Sequence, residues 1–255
     1  MLNTGYIPSN EASGTPLLET VQAPIEYPSM YVAPIDGLPI LMQAKQPSCV
    51  GHGVSWAVMQ KEKQRDGDFK LLSPRFLYAM SKQSDGFPNQ DGTSIQNALR
   101  VAKEIGICED QYFPNDVSLS IEEYKDVSKI PAEAYENAKL HRITGYHFVS
   151  DLSYGGLRNA IYQNDIVIIG MQISDSWWTA KDGRTSWAAE DILPLRPKRP
   201  TSNHCVCLYA YNDEGIEGKL DALMNWWSDQ WGGKGAAFFY GDERPYIYQA
   251  AVITV

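Results

Sequence analysis

A thiol can attack a carbonyl carbon when its pKa is lowered, a base stands by to hold and return a proton, and donors await the developing oxyanion. Of the four cysteines in this 255-residue chain, Cys49 is the one whose surroundings could meet the first condition. Val50, Val54, Ala57 and Val58 follow it at helical spacing, which predicts a buried helix beginning at Cys49. A sulfur at that end lies over unpaired backbone N–H groups and the positive end of the helix dipole, which favours thiolate. Gly51 and Gly53 ordinarily weaken a helix, and their presence predicts close approach by neighbouring elements. A histidine alongside would favour the thiolate further.

Three separated stretches carry a resemblance. Gln43-Ala44-Lys45-Gln46-Pro47-Ser48-Cys49-Val50-Gly51-His52 resembles the nucleophile region of papain-like (C1) cysteine peptidases. The bacterial and viral forms that lack the usual disulfides and full prodomain, with a glutamine six residues before the cysteine, are the nearest pattern. Ser202-Asn203-His204-Cys205-Val206 resembles the histidine strand of that family, and Met224-Asn225-Trp226-Trp227-Ser228-Asp229-Gln230-Trp231-Gly232 its asparagine–tryptophan block. Leu72 to Tyr78, Asp91 to Ser94 and Gly106 to Pro114 resemble parts of its helical lobe.

The resemblance implies an α+β, two-lobed fold: a helical lobe, an antiparallel β-barrel-like lobe, and the active site in the crevice between them. It implies Cys49 as nucleophile, His204 as base, Asn225 as the residue that fixes the imidazole tautomer, and Gln43 as a side-chain oxyanion donor beside the Cys49 N–H. Gly92, Asn203 and Trp227 are then expected to border the substrate, with Trp227 also shielding the catalytic pair from water. The implied reaction is hydrolysis of peptide bonds through a thioester acyl-enzyme, on a peptide or protein substrate and without a cofactor. Acyl transfer or side-chain amide hydrolysis by the same triad, or an inactive peptide-binding homologue, are the alternatives. Two departures stand out: Gln46 occupies the place of an early disulfide cysteine, and Val50, not an aromatic residue, follows Cys49.

A metal site is the rival chemistry, since Cys49 and His52 together with His204, Cys205 and Cys207 supply soft or borderline ligands. In a strand, however, Cys205 and Cys207 share one face and His204 takes the other, so that cluster does not converge on one ion. The expectation is no metal, with Cys205 and Cys207 as core residues. His141 and His147 have no evident partner and are expected to be partly exposed.

The elements that must position these residues follow from patterning. Ser73-Pro74 is an N-cap with proline at the first helical position, opening a helix through about Lys82. Thr93 with Gln96 resembles a capping box ahead of a face formed by Ile95, Ala98, Leu99 and Ala102, which Gly106 ends. Residues 121–130 and 132–140 also read as helical. Beyond His141 the period shifts to short β-branched and aromatic runs at 166–173, 205–211, 220–227, 236–240 and 249–255. Helices first and strands second indicate an α+β architecture: an arm over 1–30, a mainly helical lobe over 31–140, and a mainly β lobe over 141–255. A run from Ser176 to Thr201, with Trp177, Trp178 and Trp187 read as loop packing or a substrate wall, resembles an insertion.

Residues 1–44 carry six prolines and no lysine or arginine, which predicts an extended arm and not a packed element. A proline-rich segment costs little entropy to hold extended, so two readings stand for Ile7 to Pro28: a disordered tail, or a short built-in inhibitor lying along or beside the crevice. A net charge of −9, with the basic residues Arg196, Lys198 and Arg199 as a lone knot, argues against nucleic acid. No apolar run is long enough for a membrane span, and the start of the chain lacks a cationic region before Lys45, so no signal peptide is expected. Four cysteines are too few for a disulfide scaffold, which suggests a reducing compartment such as the cytoplasm.

Overall fold

The computed structural model describes residues 4–9, 16–174, 177, 201–214, 219–240 and 246–255. Most of the apparent insertion, including Trp178 and Trp187, lies outside the described residues. Helix α1, Cys49–Asp66, starts at the expected cysteine and ends at Gly67, whose φ of 78° supplies the left-handed cap. Its first three turns are buried on every side, so it runs through the middle of the molecule. Helix α2, Pro74–Lys82, begins where Ser73 accepts the Phe76 N–H, and packs across α1 at Gly51. A Cβ at Gly51 would stand 2.7 Å from the Pro74 carbonyl oxygen, and one at Gly53 would stand 3.2 Å from Cys205 Sγ. Those two glycines let α1 touch a helix on one side and the sheet on the other.

Helix α3, Ile95–Glu104, is capped by Ser94, which accepts from the Asn97 N–H. The Thr93–Gln96 capping box is therefore replaced by a cap one residue later, which leaves the Thr93 backbone for another use. Short helices α4, Ile121–Tyr124, and α5, Ala132–Ala138, complete the helical lobe around Phe76, Cys108, Phe113 and Ile130.

The strands are β1 (Met30–Val32), β2 (Gly145–Phe148), β3 (Val167–Ile173), β4 (Ser202–Asn212), β5 (Leu220–Met224), β6 (Ala236–Tyr240) and β7 (Ile247–Thr254). They form one antiparallel sheet in the order β2-β7-β3-β4-β5-β6, and β1 pairs with the far end of β4 alongside β3. One face packs on α1. The other is covered by α6, Tyr154–Asn164, a helix that the patterning of this half did not indicate. Arg158 on α6 is fully buried and is held by Asp213 at 2.7 Å and by Asp221.

The described residues among the first 30 are more integrated than an extended arm. Tyr6, Ile7 and Leu18 are buried, a 3-10 turn spans Leu18–Thr20, and Leu17 bridges to Phe148 on β2. Asn159 on α6 grips both the N–H and the carbonyl of Ile25. The cause is pairing: each stretch finds a neighbouring edge or side chain that satisfies its backbone groups. Among the described residues no helix is long and apolar enough to cross a membrane.

His141 is not partly exposed as the sequence suggested but buried, with Nδ1 2.8 Å from Glu62 on α1 and Nε2 3.6 Å from Glu109. Burial alone would lower its pKa; the Glu62 hydrogen bond and charge, then the nearby charge of Glu109, raise it on balance. A raised histidine pKa contributes stability that is fully present below the ordinary value near 6.5 and fades as pH rises through the folded value. Glu62→Gln is therefore expected to lower unfolding free energy by about 1.5–3 kcal/mol at pH 6, the usual loss for a hydrogen bond to a charged group. Urea titrations should find that gap narrower at pH 9.

Candidate active site

Strand pairing brings the downstream residues together. β4 and β5 run antiparallel with Cys207 opposite Met224, which sets His204 near the residue that follows β5, Asn225. His204 Nε2 lies 2.7 Å from Asn225 Oδ1, and the same oxygen accepts the Trp226 N–H at 2.8 Å. An oxygen that already receives one N–H acts as an acceptor toward the ring as well, so Nε2 carries the imidazole proton and Nδ1 is the bare nitrogen. Trp227 stacks on the ring, with centroids 4.7 Å apart and planes at 22°. Trp177 closes the cluster edge-on against both His204 and Trp227, as packing and not as an exposed wall.

Cys49 meets this cluster from the N-terminus of α1. Its sulfur is fully buried, and the backbone amides of Cys205 and Val50, with its own, are close enough to act on it. Trp226 ties the pieces together: its indole N–H donates to the Cys205 carbonyl at 2.9 Å, and its carbonyl accepts the Gln43 N–H at 2.6 Å. Gln43 is buried, with Nε2 donating to the Gln46 carbonyl at 2.6 Å. His204 Nδ1 has no hydrogen-bond partner among the described residues, so the sulfur–imidazole bond is open in this arrangement.

What lies on the sulfur is the chain's own N-terminal segment. The Gly5 N–H points at Cys49 Sγ at 3.2 Å. Thr93 donates its N–H to the Gly5 carbonyl at 2.8 Å and accepts the Ile7 N–H at 2.9 Å, a parallel bridge centred on Tyr6. The Tyr6 ring lies on Gly170 of β3, where a Cβ would fall 2.2 Å from it, and its hydroxyl reaches Gln249 Oε1 at 3.5 Å. The contact is made by Gly5 to Ile7, upstream of most of the Ile7 to Pro28 stretch. Gly5 is the reason, since its own Cβ would stand 1.8 Å from the Pro47 carbonyl oxygen. Leu17 to Ile25 runs instead along β2 and α6.

Burial sets the protonation states. It pushes the Cys49 thiol up to about 12, against the pull of the Cys205, Gly5 and Val50 amides. It pushes His204 down to about 4, against the bond to Asn225. With the arm in place both partners are neutral at physiological pH.

Of the residues singled out in the sequence, Cys49, His204, Asn225, Gln43 and Trp227 converge on this crevice. Gly92, at a φ of 91°, borders it closely enough that a Cβ would strike Gly5. Asn203 is half-buried opposite Gln172 and points from the strand face opposite to His204. Thr93, Gly170 and Gln249 were not singled out, because their part is to pair with a backbone or leave room for a ring. All four cysteines are free, and Cys205 and Cys207 pack together on Gly53. Among the described residues no group of three or more His, Cys, Asp or Glu side chains is arranged to hold a metal.

No protein-family model matches the chain, and no curated protein matches it in sequence. Solved structures do. Xylellain, a cysteine protease from Xylella fastidiosa, is 18% identical, with 100% of this chain and 96% of that one covered at a TM-score of 0.83. Digestive procathepsin L 3 of Tenebrio molitor larval midgut is 17% identical over 100% of this chain and 74% of that one, at 0.69. The ragweed pollen allergen Amb a 11, a cysteine protease in its proform, is 18% identical over 89% and 66%, at 0.63. At such identities the likeness shows the fold, and the fold is papain-like.

Because any side chain at position 5 collides with Pro47, Gly5→Glu in the full-length chain is expected to lift the arm from the sulfur. Iodoacetamide should then alkylate Cys49 at least about tenfold faster than in the unaltered chain, since access and thiolate formation both improve. Peptide mapping by mass spectrometry reads the rate at each cysteine, and equal rates in the two chains would show that the arm does not shield the thiol.

Proposed function

We propose that this chain is a cysteine peptidase held dormant by its own N-terminal segment. The observation that carries the reading is the His204 ring, pinned through Nε2 by Asn225, covered by Trp227 and left bare at Nδ1 among the described residues, on the strand that packs against the helix beginning at Cys49. A structural histidine has no need of one buried nitrogen held and the other left bare beside a helix-terminal thiol. The papain-like fold of the three cysteine proteases named above is in keeping with it.

Once the arm leaves, Cys49 transfers its proton to His204 Nδ1 and attacks the scissile carbonyl carbon. The oxyanion lies between the Cys49 N–H and the Gln43 carboxamide N–H. Collapse expels the amine, which takes the proton from His204 and leaves a thioester on Cys49. Water, deprotonated by the same imidazole, then releases the acid and restores the thiol. Asn225 keeps the ring in the tautomer this sequence requires. The resting arm survives because Gly5 offers the sulfur an N–H and not a carbonyl carbon, while its carbonyl is engaged by Thr93. Thr93 would pair with the substrate backbone as it pairs with the arm, next to Gly92, and Trp227 would keep water from the ion pair; the Asn203 side chain, on the other strand face from His204, would take no part.

In the full-length Gly5→Glu chain, peptide hydrolysis followed with a mixed peptide library should be measurable, and adding Cys49→Ala should abolish it without loss of the folded far-ultraviolet signature. Asn225→Ala in the same chain should lower kcat by about ten- to a hundredfold without eliminating it, as expected for a residue that orients the base and does not itself react. Turnover that persists in the Cys49→Ala chain would sink the assignment.

A further inference from the structure

The site contains a buried histidine that the mechanism does not use. His52, one turn into α1, is fully buried, and both ring nitrogens are engaged. Nδ1 lies 2.9 Å from the Ser48 carbonyl and 3.3 Å from Ser48 Oγ; Nε2 lies 3.1 Å from the Met42 carbonyl and 3.3 Å from Asn115 Nδ2. Asn115 Nδ2 also donates to the Met42 carbonyl at 2.9 Å, and Asn115 Oδ1 accepts the Tyr124 hydroxyl, which in turn is 3.4 Å from Ser48 Oγ. Met42 and Ser48 are the residues just before Gln43 and just before Cys49. The ring therefore bridges the two ends of the loop that carries both oxyanion donors.

We propose that His52, with Asn115, is a positioning residue that fixes the distance between the Gln43 carboxamide and the Cys49 amide; this rests on the peptidase reading above. A neutral imidazole has one N–H, yet either tautomer reaches both loop ends. If Nδ1 carries the proton it donates to the Ser48 carbonyl, and Nε2 accepts from Asn115, whose amide also holds Met42. If Nε2 carries it, the ring donates to Met42 and accepts from Ser48 Oγ. Burial, which pushes His52 down to about 4 against the pull of the Ser48 and Met42 carbonyls, keeps it neutral and so keeps one of these patterns intact.

The middle of the loop is fastened separately. Gln46, fully buried, donates through Nε2 to the carbonyls of Leu119 at 2.8 Å and Val117 at 3.3 Å, and Lys45 reaches the Ser118 carbonyl at 3.2 Å. Gln46 also presents the carbonyl that orients Gln43 Nε2. Fastening the middle sets the loop's height above the 117–119 segment, and the Trp226 carbonyl anchors the Gln43 N–H, but the direct link from one end of the loop to the other is the His52 ring. An oxyanion needs both donors at hydrogen-bond length at once, so a shift of a few tenths of an ångström at either end weakens the hole without touching the nucleophile.

That separation gives the test. Alkylation by iodoacetamide requires the thiolate and its imidazole but develops no oxyanion, whereas amide hydrolysis requires all of them. In the full-length Gly5→Glu chain, His52→Leu, His52→Gln and Asn115→Ala are compared for kcat, KM, Cys49 alkylation rate and thermal midpoint. Asn115 is half-buried in a loop, so its variant stays folded even if those at His52 do not. Expected is a fall in kcat of about tenfold for Asn115→Ala, short of the hundredfold or more that removal of a donor costs, with KM and alkylation within twofold of the parent. His52→Gln, which keeps a polar atom near Nε2, should recover part of the activity lost in His52→Leu. Unchanged kcat in Asn115→Ala, or kcat and alkylation falling in parallel across the variants, overturns the positioning role while leaving the peptidase reading standing. A Gly5→Glu parent that cleaves no peptide overturns both.

Discussion

The closeness of α1 to the sheet is the constraint on which the site depends. A helix packed on a sheet is ordinarily held away from it by the side chains that interdigitate between them. At Gly53 there is no side chain to do so, and Cys205 Sγ and Trp226 come within 3.2 Å and 3.6 Å of where a Cβ would stand. One turn back, the helix end lies against β4, and the amide that follows His204 is among those that pull the Cys49 thiol pKa down against burial. Gly51 does the same on the opposite side toward α2, so the nucleophile helix is fixed between two lobes and not attached to one. A nucleophile carried by one lobe and a base by the other are useful only if the lobes cannot drift. Here that rigidity comes from an 18-residue helix buried over its first turns on every side.

A second economy lies in the turn after β5. Asn225 holds His204, the Trp226 carbonyl holds the Gln43 backbone, the Trp226 indole holds the strand carbonyl next to His204, and Trp227 covers the ring. Three consecutive residues thus reference the base, the oxyanion loop and the strand to a single point. The indole of Trp56, 5.8 Å from that of Trp226 and bonded to the Pro39 carbonyl, extends the reference into α1. Errors in placing these groups are then correlated: if the turn moves, base and oxyanion donor move together, and their mutual geometry survives.

Much of this was legible in the sequence because the residues concerned carry distinctive chemistry. The start of α1, the Ser73 cap and the strands at 167–173 and 236–240 fell where patterning put them, since each is bounded by a cap, a proline or a sharp change of period. Helix α6 was missed for a physical reason. Its first turn holds Gly155 and Gly156, which depress helix propensity, and its apolar face of Leu157, Ala160 and Ile161 is short because the rest of that face is the buried Arg158. A charged side chain in the core, satisfied by Asp213 and Asp221 from distant segments, has no local signature. Thr93 was misread for the related reason that a threonine next to a serine can cap or pair, and the choice is made by a strand nearly 90 residues away in sequence. The role of Gly5 was equally hidden, because a glycine's use is defined by what would collide with it.

The arm and the site are matched in their electrostatics as well as their shape. A thiol sealed from water loses the solvation that a thiolate needs, and the amides around Cys49, one of them from Gly5 itself, do not make up the loss. His204 suffers the same penalty in the opposite sense, so the proton that would have to pass between them stays on sulfur. On the proposed reading, covering the pair does more than block entry: it removes the driving force for forming the ion pair that attacks. The converse follows. When the arm lifts, a single displacement restores water to the sulfur, removes the competing Gly5 N–H and vacates the Thr93 backbone, so the groups that hold the arm are those a substrate strand would use in its place. In a peptidase of the kind proposed, dormancy and substrate binding would draw on one set of hydrogen bonds, and the affinity of the arm for the crevice would set how much of the chain is poised to react.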